Sequence, residues 1–120
     1  MSSRIYPIRL HSPWFQYVRS GWKIYEGRRC TPTMSEFVAG DRFLIRHFEG
    51  EQSEYLVTIE AILKFPTFEV ALRSLPLSKV LPNCNSVEEG VEIYKQFVSL
   101  PTQEKDGVLM FLLRVDEEAK

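Results

Sequence analysis

The sequence predicts a small α+β protein: a small curved mixed or antiparallel sheet, or a barrel, with helices covering its openings. Three observations carry this. About five strand-like and three or four helix-like segments are distributed along 120 residues. Successive strands are joined by both hairpins and helices, which matches neither a regular βαβ succession nor a helix bundle. Hydrophobic residues make up 44% of the chain, with eight Phe and five Tyr among them, so a core is available without disulfides.

In order, Arg4 to Leu10 alternates as a strand, with Pro7 placing it at an edge or distorting it. Ser12 is positioned to cap a helix beginning at Pro13, with Trp14, Tyr17 and Val18 as its apolar stripe and Gly21 as its end. Lys23 to Arg29 reads as a strand leaving that glycine, and Thr31 to Val38 as a connection broken by Pro32. Gly40-Asp41 makes a tight turn before the alternating strand Arg42 to Phe48. Glu49 to Glu54 is a hairpin turn, and Tyr55 to Phe65 the return strand, ended by Pro66.

Thr67 then caps a short helix containing Val70, Ala71 and Leu75, and Pro76 to Pro82 adds a helical turn around Leu77, Val80 and Leu81. Ser86 with Glu89 forms a capping-box pattern for a helix whose apolar side is Val87, Val91, Tyr94 and Val98, with Ile93 and Phe97 beside them. Lys105-Asp106-Gly107 is a turn into the apolar final strand Val108 to Val115, and 116–120 is an acidic, frayed end. No repeat, linker or low-complexity segment divides the chain, so 1–120 is expected to be a single domain.

The net charge is -1, but unevenly spread: residues 1–47 carry +5 and residues 48–120 carry -6. This excludes coating of long duplex nucleic acid by charge alone and leaves room for one positive face. Cys30 and Cys84 are too few for a disulfide scaffold or a cysteine-only zinc site, and read as reduced thiols of an intracellular, cytoplasmic protein, with the nucleus also open. No apolar run resembles a signal peptide or spans a bilayer, so no membrane partner is expected. His11 and His47 lack a partner at metal-ligand spacing, and no Walker-type or dinucleotide loop is present, so neither metal nor cofactor is expected.

The chemistry-bearing stretch is Gly21-Trp22-Lys23-Ile24-Tyr25-Glu26-Gly27-Arg28. On a regular strand Lys23 and Glu26 face opposite sides, so they share a pocket only if the chain is twisted or bulged, or if Lys23 still belongs to the turn. Lys23 offers a compact cationic donor, Glu26 an acceptor for an exocyclic amine, and Arg28 a rigid fork for phosphate or a base edge. A structural ion pair with exposed charges accounts equally for the same residues. Trp22 and Tyr25 can supply stacking surfaces and Arg29 extends the positive face, as do Arg42 and Arg46, with Arg9 a weaker member; Trp14 reads as core.

Gly21-x-Lys23-x-x-Glu26-x-Arg28 resembles the signature of the ASCH superfamily, whose members have a PUA-like β-barrel. Pro13-Trp14, Gly40-Asp41 and Val108-Leu109-Met110-Phe111 are similar to that family too, so the resemblance covers most of the chain. It implies a cleft beside the barrel and a role in RNA or nucleotide chemistry. Some relatives bind RNA; some small ones remove the acetyl group from acetylated cytidine. Lys23 falls at the essential lysine of those amidohydrolases, whereas Glu26 stands where they carry a catalytic threonine. Thr31 and Thr33 do not match that position, and the later carboxylate has no assigned place among Glu69, Glu88 and Glu89.

The leading expectation is therefore an RNA- or nucleotide-binding module taking single-stranded RNA or a modified nucleotide or nucleoside. Its site comprises Trp22, Lys23, Tyr25, Glu26, Arg28 and Arg29. The rivals are an amidohydrolase of an acylated nucleoside, with Lys23 and Glu26 catalytic, and a protein-interaction module that kept only the fold.

Overall fold

A computed structural model of the chain describes residues 3–50 and 52–116. Strand β1 (Ile5–Leu10) leads into helix α1 (Trp14–Ser20), strand β2 (Tyr25–Arg29) and a single 3-10 turn at Met34–Glu36. Strands β3 (Arg42–His47) and β4 (Tyr55–Phe65) follow, then helices α2 (Phe68–Ser74), α3 (Leu77–Val80), α4 (Val87–Lys95) and α5 (Leu100–Asp106), and strand β5 (Val108–Val115). The five strands form one sheet in the order β1-β3-β4-β5-β2. The β1–β3 pair is parallel and the others antiparallel, with a register shift in β4 between Ile59 and Ala61. This is a curled half-barrel flanked by helices, with β1 and β2 as its edges.

Two apolar clusters lie on opposite faces of this sheet. Ile8, Phe15, Phe43, Ile45, Val57, Ile59 and Phe111 fill the concave side beneath α1. Phe68, Ala71, Leu72, Val80, Tyr94 and Met110 fill the space under the later helices. The continuous apolar run of β5 follows from this arrangement. Leu109, Phe111 and Leu113 serve the first cluster and Val108 and Met110 the second, so the strand is buried on both faces. In β3, Phe43, Ile45 and His47 are buried while their neighbours are half-exposed, the alternation its sequence predicts.

Thr67 and Ser86 cap as expected, accepting from the Val70 and Glu89 backbone N–H groups. Ser12 does not: Pro13 takes the N-cap position of α1, and the Ser12 hydroxyl bonds His47 Nε2 at 2.8 Å instead. Helix α5 has no counterpart in the sequence reading, which saw only a turn at its end. Gln103 is its one buried residue, so no apolar period marks it. That side chain joins two helices to the core, accepting from Phe68 N–H and donating to Val98 C=O, both at 2.9 Å. The acidic end begins at Asp116, which accepts from Thr58 Oγ1 and lies 3.5 Å from Arg42; residues 117–120 lie outside the described residues.

Candidate functional site

Gly21 determines where the charged motif falls. Its φ of 84° closes α1 in the left-handed conformation, and the backbone N–H groups of Trp22 and Lys23 both donate to Tyr17 C=O. Lys23 thus remains in the turn, ahead of the first residue of β2. This resolves the facing problem: Lys23 Nζ lies 3.6 Å from Glu26 Oε1 although the two are three positions apart. Arg28, two residues on along the same strand face, donates from Nε to Glu26 Oε2 at 2.8 Å. A second guanidinium nitrogen of Arg28 donates to Arg9 C=O at 3.2 Å, so the side chain bridges the two edges of the half-barrel.

Lys23 is only 2% exposed. Its ammonium donates to Tyr25 C=O at 2.5 Å and Val80 C=O at 2.6 Å, which ties α3 to the start of β2. Burial holds its pKa below the ordinary lysine value, against the opposing pull of the Glu26 carboxylate. Glu26 is buried too, so Lys23 and Glu26 form a desolvated pair rather than a surface ion pair, with the partly exposed Arg28 guanidinium at its outer end.

These three residues form part of the wall of a cleft of roughly 390 Å3 at the opening between the sheet edges and α4. Arg9, Arg28 and Arg29 provide its cationic side, with Arg29 also 3.8 Å from Asp106. Among the described residues, no carboxylate pairs with Arg9, which is exposed. His11, Trp14, Phe48 and Phe97 provide an aromatic side: His11 stacks on Phe48 at 3.9 Å, and Trp14 meets Phe97 edge-on at 6.0 Å. Deeper, Tyr94 stacks on Phe68 at 3.9 Å. Gly27 permits this close packing, since a Cβ on it would come within 2.9 Å of the Tyr94 oxygen and 2.8 Å of Phe68.

Of the residues singled out from the sequence, Lys23, Glu26, Arg28 and Arg29 therefore converge on one cleft. Trp22 and Tyr25 do not line it. Trp22 is 62% exposed and stacks on Tyr17, and Tyr25 packs against the second apolar cluster. The aromatic faces come instead from Trp14, which the apolar stripe assigned to the core, and from His11, Phe48 and Phe97. Phe97 had a visible signal: it lies off the Val87-Val91-Tyr94-Val98 stripe and stays exposed. Arg42 and Arg46 are not part of the cleft. Among the described residues no group of three or more His, Cys, Asp or Glu is placed to hold a metal, and no helix is long and apolar enough to cross a membrane.

The fold is similar to solved structures over most of the chain. Hypothetical protein PH0355 is 24% identical, with a TM-score of 0.84 over 93% of this chain and 99% of that one. Protein PF0455 from Pyrococcus furiosus is 24% identical, with a TM-score of 0.74 over 95% and 99%. An ASCH protein from Zymomonas mobilis is 20% identical, with a TM-score of 0.65 over 92% of this chain and 67% of that one. The architecture is thus that of small ASCH and PUA-like α+β domains. No family model and no curated protein matches the sequence.

Proposed function

We propose that the cleft binds one base of single-stranded RNA, or the base of a nucleotide. The observation that carries this is the convergence of Lys23, Glu26 and Arg28 in the wall of an open cleft that is also lined by His11, Trp14, Phe48 and Phe97. A volume near 390 Å3 suits one nucleotide rather than a long polymer segment. Aromatic faces receive a base by stacking, worth about 1–3 kcal/mol each. Glu26 takes an exocyclic amino group, and Arg9, Arg28 and Arg29 meet phosphate. The fold similarity to an ASCH protein supports the same reading.

The amidohydrolase reading draws support from the depressed pKa of Lys23, the property a proton-transferring lysine needs. Against it, the Nζ protons are directed at two backbone carbonyls and at Glu26, leaving Lys23 a structural donor rather than a free base. A protein-interaction module would be expected to have filled this cleft, whereas it is open and charged.

The test is binding of short single-stranded RNA by the parent, Arg28→Glu and Phe97→Ala, with folding checked by circular dichroism. Arg28→Glu sets a second carboxylate beside Glu26, and Phe97→Ala removes an exposed ring. Both are expected to lose at least tenfold in affinity under conditions where circular dichroism shows the parent's fold, and Arg28→Glu to be the less stable of the two. Undiminished binding in both variants would move the site off this cleft. Turnover of acetylated cytidine by the parent would revive the hydrolytic reading.

A further inference from the structure

Five buried side-chain polar atoms lack a hydrogen-bond partner among the described residues: Trp14 Nε1, Gln16 Oε1, Arg46 Nε, His47 Nδ1 and the Tyr94 hydroxyl. Two have a ready local explanation, since Arg46 and His47 each lie against a carboxylate, Glu54 and Glu49 respectively; Gln16, whose nitrogen donates to Ser12, does not line the cleft. Trp14 and Tyr94 have none, and both line the cleft, one from α1 and the other from α4.

Tyr94 is the more telling of the two. It is 8% exposed, with its ring flat against Phe68. The Gly27 backbone N–H faces the phenolic oxygen, which can only accept from it, so the O–H itself has no acceptor among the described residues. A buried donor left without a partner costs about 1–3 kcal/mol. Phenylalanine would make the same ring contacts without that penalty, so packing alone does not account for a hydroxyl here.

We infer that the Tyr94 hydroxyl and the Trp14 indole N–H receive a hydrogen-bond acceptor on the bound base, a ring nitrogen or carbonyl oxygen. Resting on the base-binding reading, this makes them specificity-determining residues. Glu26 takes the amino group, and the two donors take an acceptor adjacent to it, so the cleft selects bases carrying both on one edge. Adenine and cytosine present that pair; uracil has no amino group. Both donors are shielded from bulk water, which strengthens the bonds they make. Phe97, 56% exposed and edge-on to Trp14, is the side chain that yields as a base enters.

The experiment measures affinity for adenosine and cytidine monophosphates and for their 1-deaza and 3-deaza analogues, which keep the amino group and lose the adjacent ring nitrogen. The parent, Tyr94→Phe and Trp14→Phe are compared, with thermal unfolding of each. Tyr94→Phe is expected to bind the natural nucleotides about tenfold more weakly, the value of one hydrogen bond. It should bind the deaza analogues as the parent does, and its unfolding midpoint should be equal or higher. Trp14→Phe should weaken the natural nucleotides in the same direction. Equal losses for natural and deaza nucleotides, no loss in either variant, or a lower midpoint in Tyr94→Phe would each overturn the assignment. If the parent binds neither these nucleotides nor RNA, the base-binding reading itself falls, and this one with it.

Discussion

Lys23 is held in the cleft wall by its own hydrogen bonds. Its ammonium serves Tyr25 C=O, Val80 C=O and Glu26 together, so it supports α3, the start of β2 and the cleft wall at once. Removing one member of a buried charged set leaves the others uncompensated, typically at a cost of about 3–5 kcal/mol. Lys23→Met is therefore expected to lose about that much stability by chemical denaturation. A loss near zero would mean the lysine is held there for reaction rather than for structure. Lysine, glutamate and arginine could be picked out as a set from their types and spacing. Their convergence could not, because regular strand geometry puts Lys23 opposite Glu26; the Gly21 turn reverses that. Tyr94 was hidden differently. Its position on an apolar stripe explains its ring completely and says nothing of its hydroxyl.

At the scale of elements, legibility followed burial pattern. The strands β3, β4 and β5 carry alternation or continuous apolar runs and could be read directly, whereas α5 buries only Gln103 and could not. Ser12 has the right type for a cap but is diverted by His47, a contact across 35 positions that local sequence does not report. The Gly40-Asp41 turn was legible, though its fastening was not. Asp41 accepts from the backbone N–H groups of Arg4 and Val38, which pins the entry of β1 to the turn before β3. Those two donors hold its carboxyl below the ordinary aspartate value. A depressed carboxyl pKa contributes stability that is complete above the unfolded value and is lost as pH falls through the folded one. Urea midpoints of the parent should accordingly decline from about pH 4 downward, with part of the decline missing in Asp41→Asn. Superimposable pH profiles for the two proteins would show that the Arg4 and Val38 bonds contribute no pH dependence.

For the whole molecule, the decisive fact is that charge is sorted by position while the total stays near zero. The first 47 residues carry +5 and supply Arg9, Arg28 and Arg29 to the cleft; the acidic remainder includes α4, whose first turn holds Glu88 and Glu89. On the base-binding reading, a ligand's phosphates meet these arginines at the opening of the half-barrel where Arg28 also bridges the two sheet edges. This places a limit on how binding responds to salt. Each phosphate neutralised on a single strand contributes about -0.7 to the slope of log affinity against log salt. Three arginines can neutralise about three phosphates, so the slope should be about -2, and it should stop growing once the strand is a few nucleotides long. Titrations of RNA of increasing length over a salt series measure this directly. A slope that steepens steadily with length would mean that the strand is held along a broad surface, and the cleft would then be incidental to affinity.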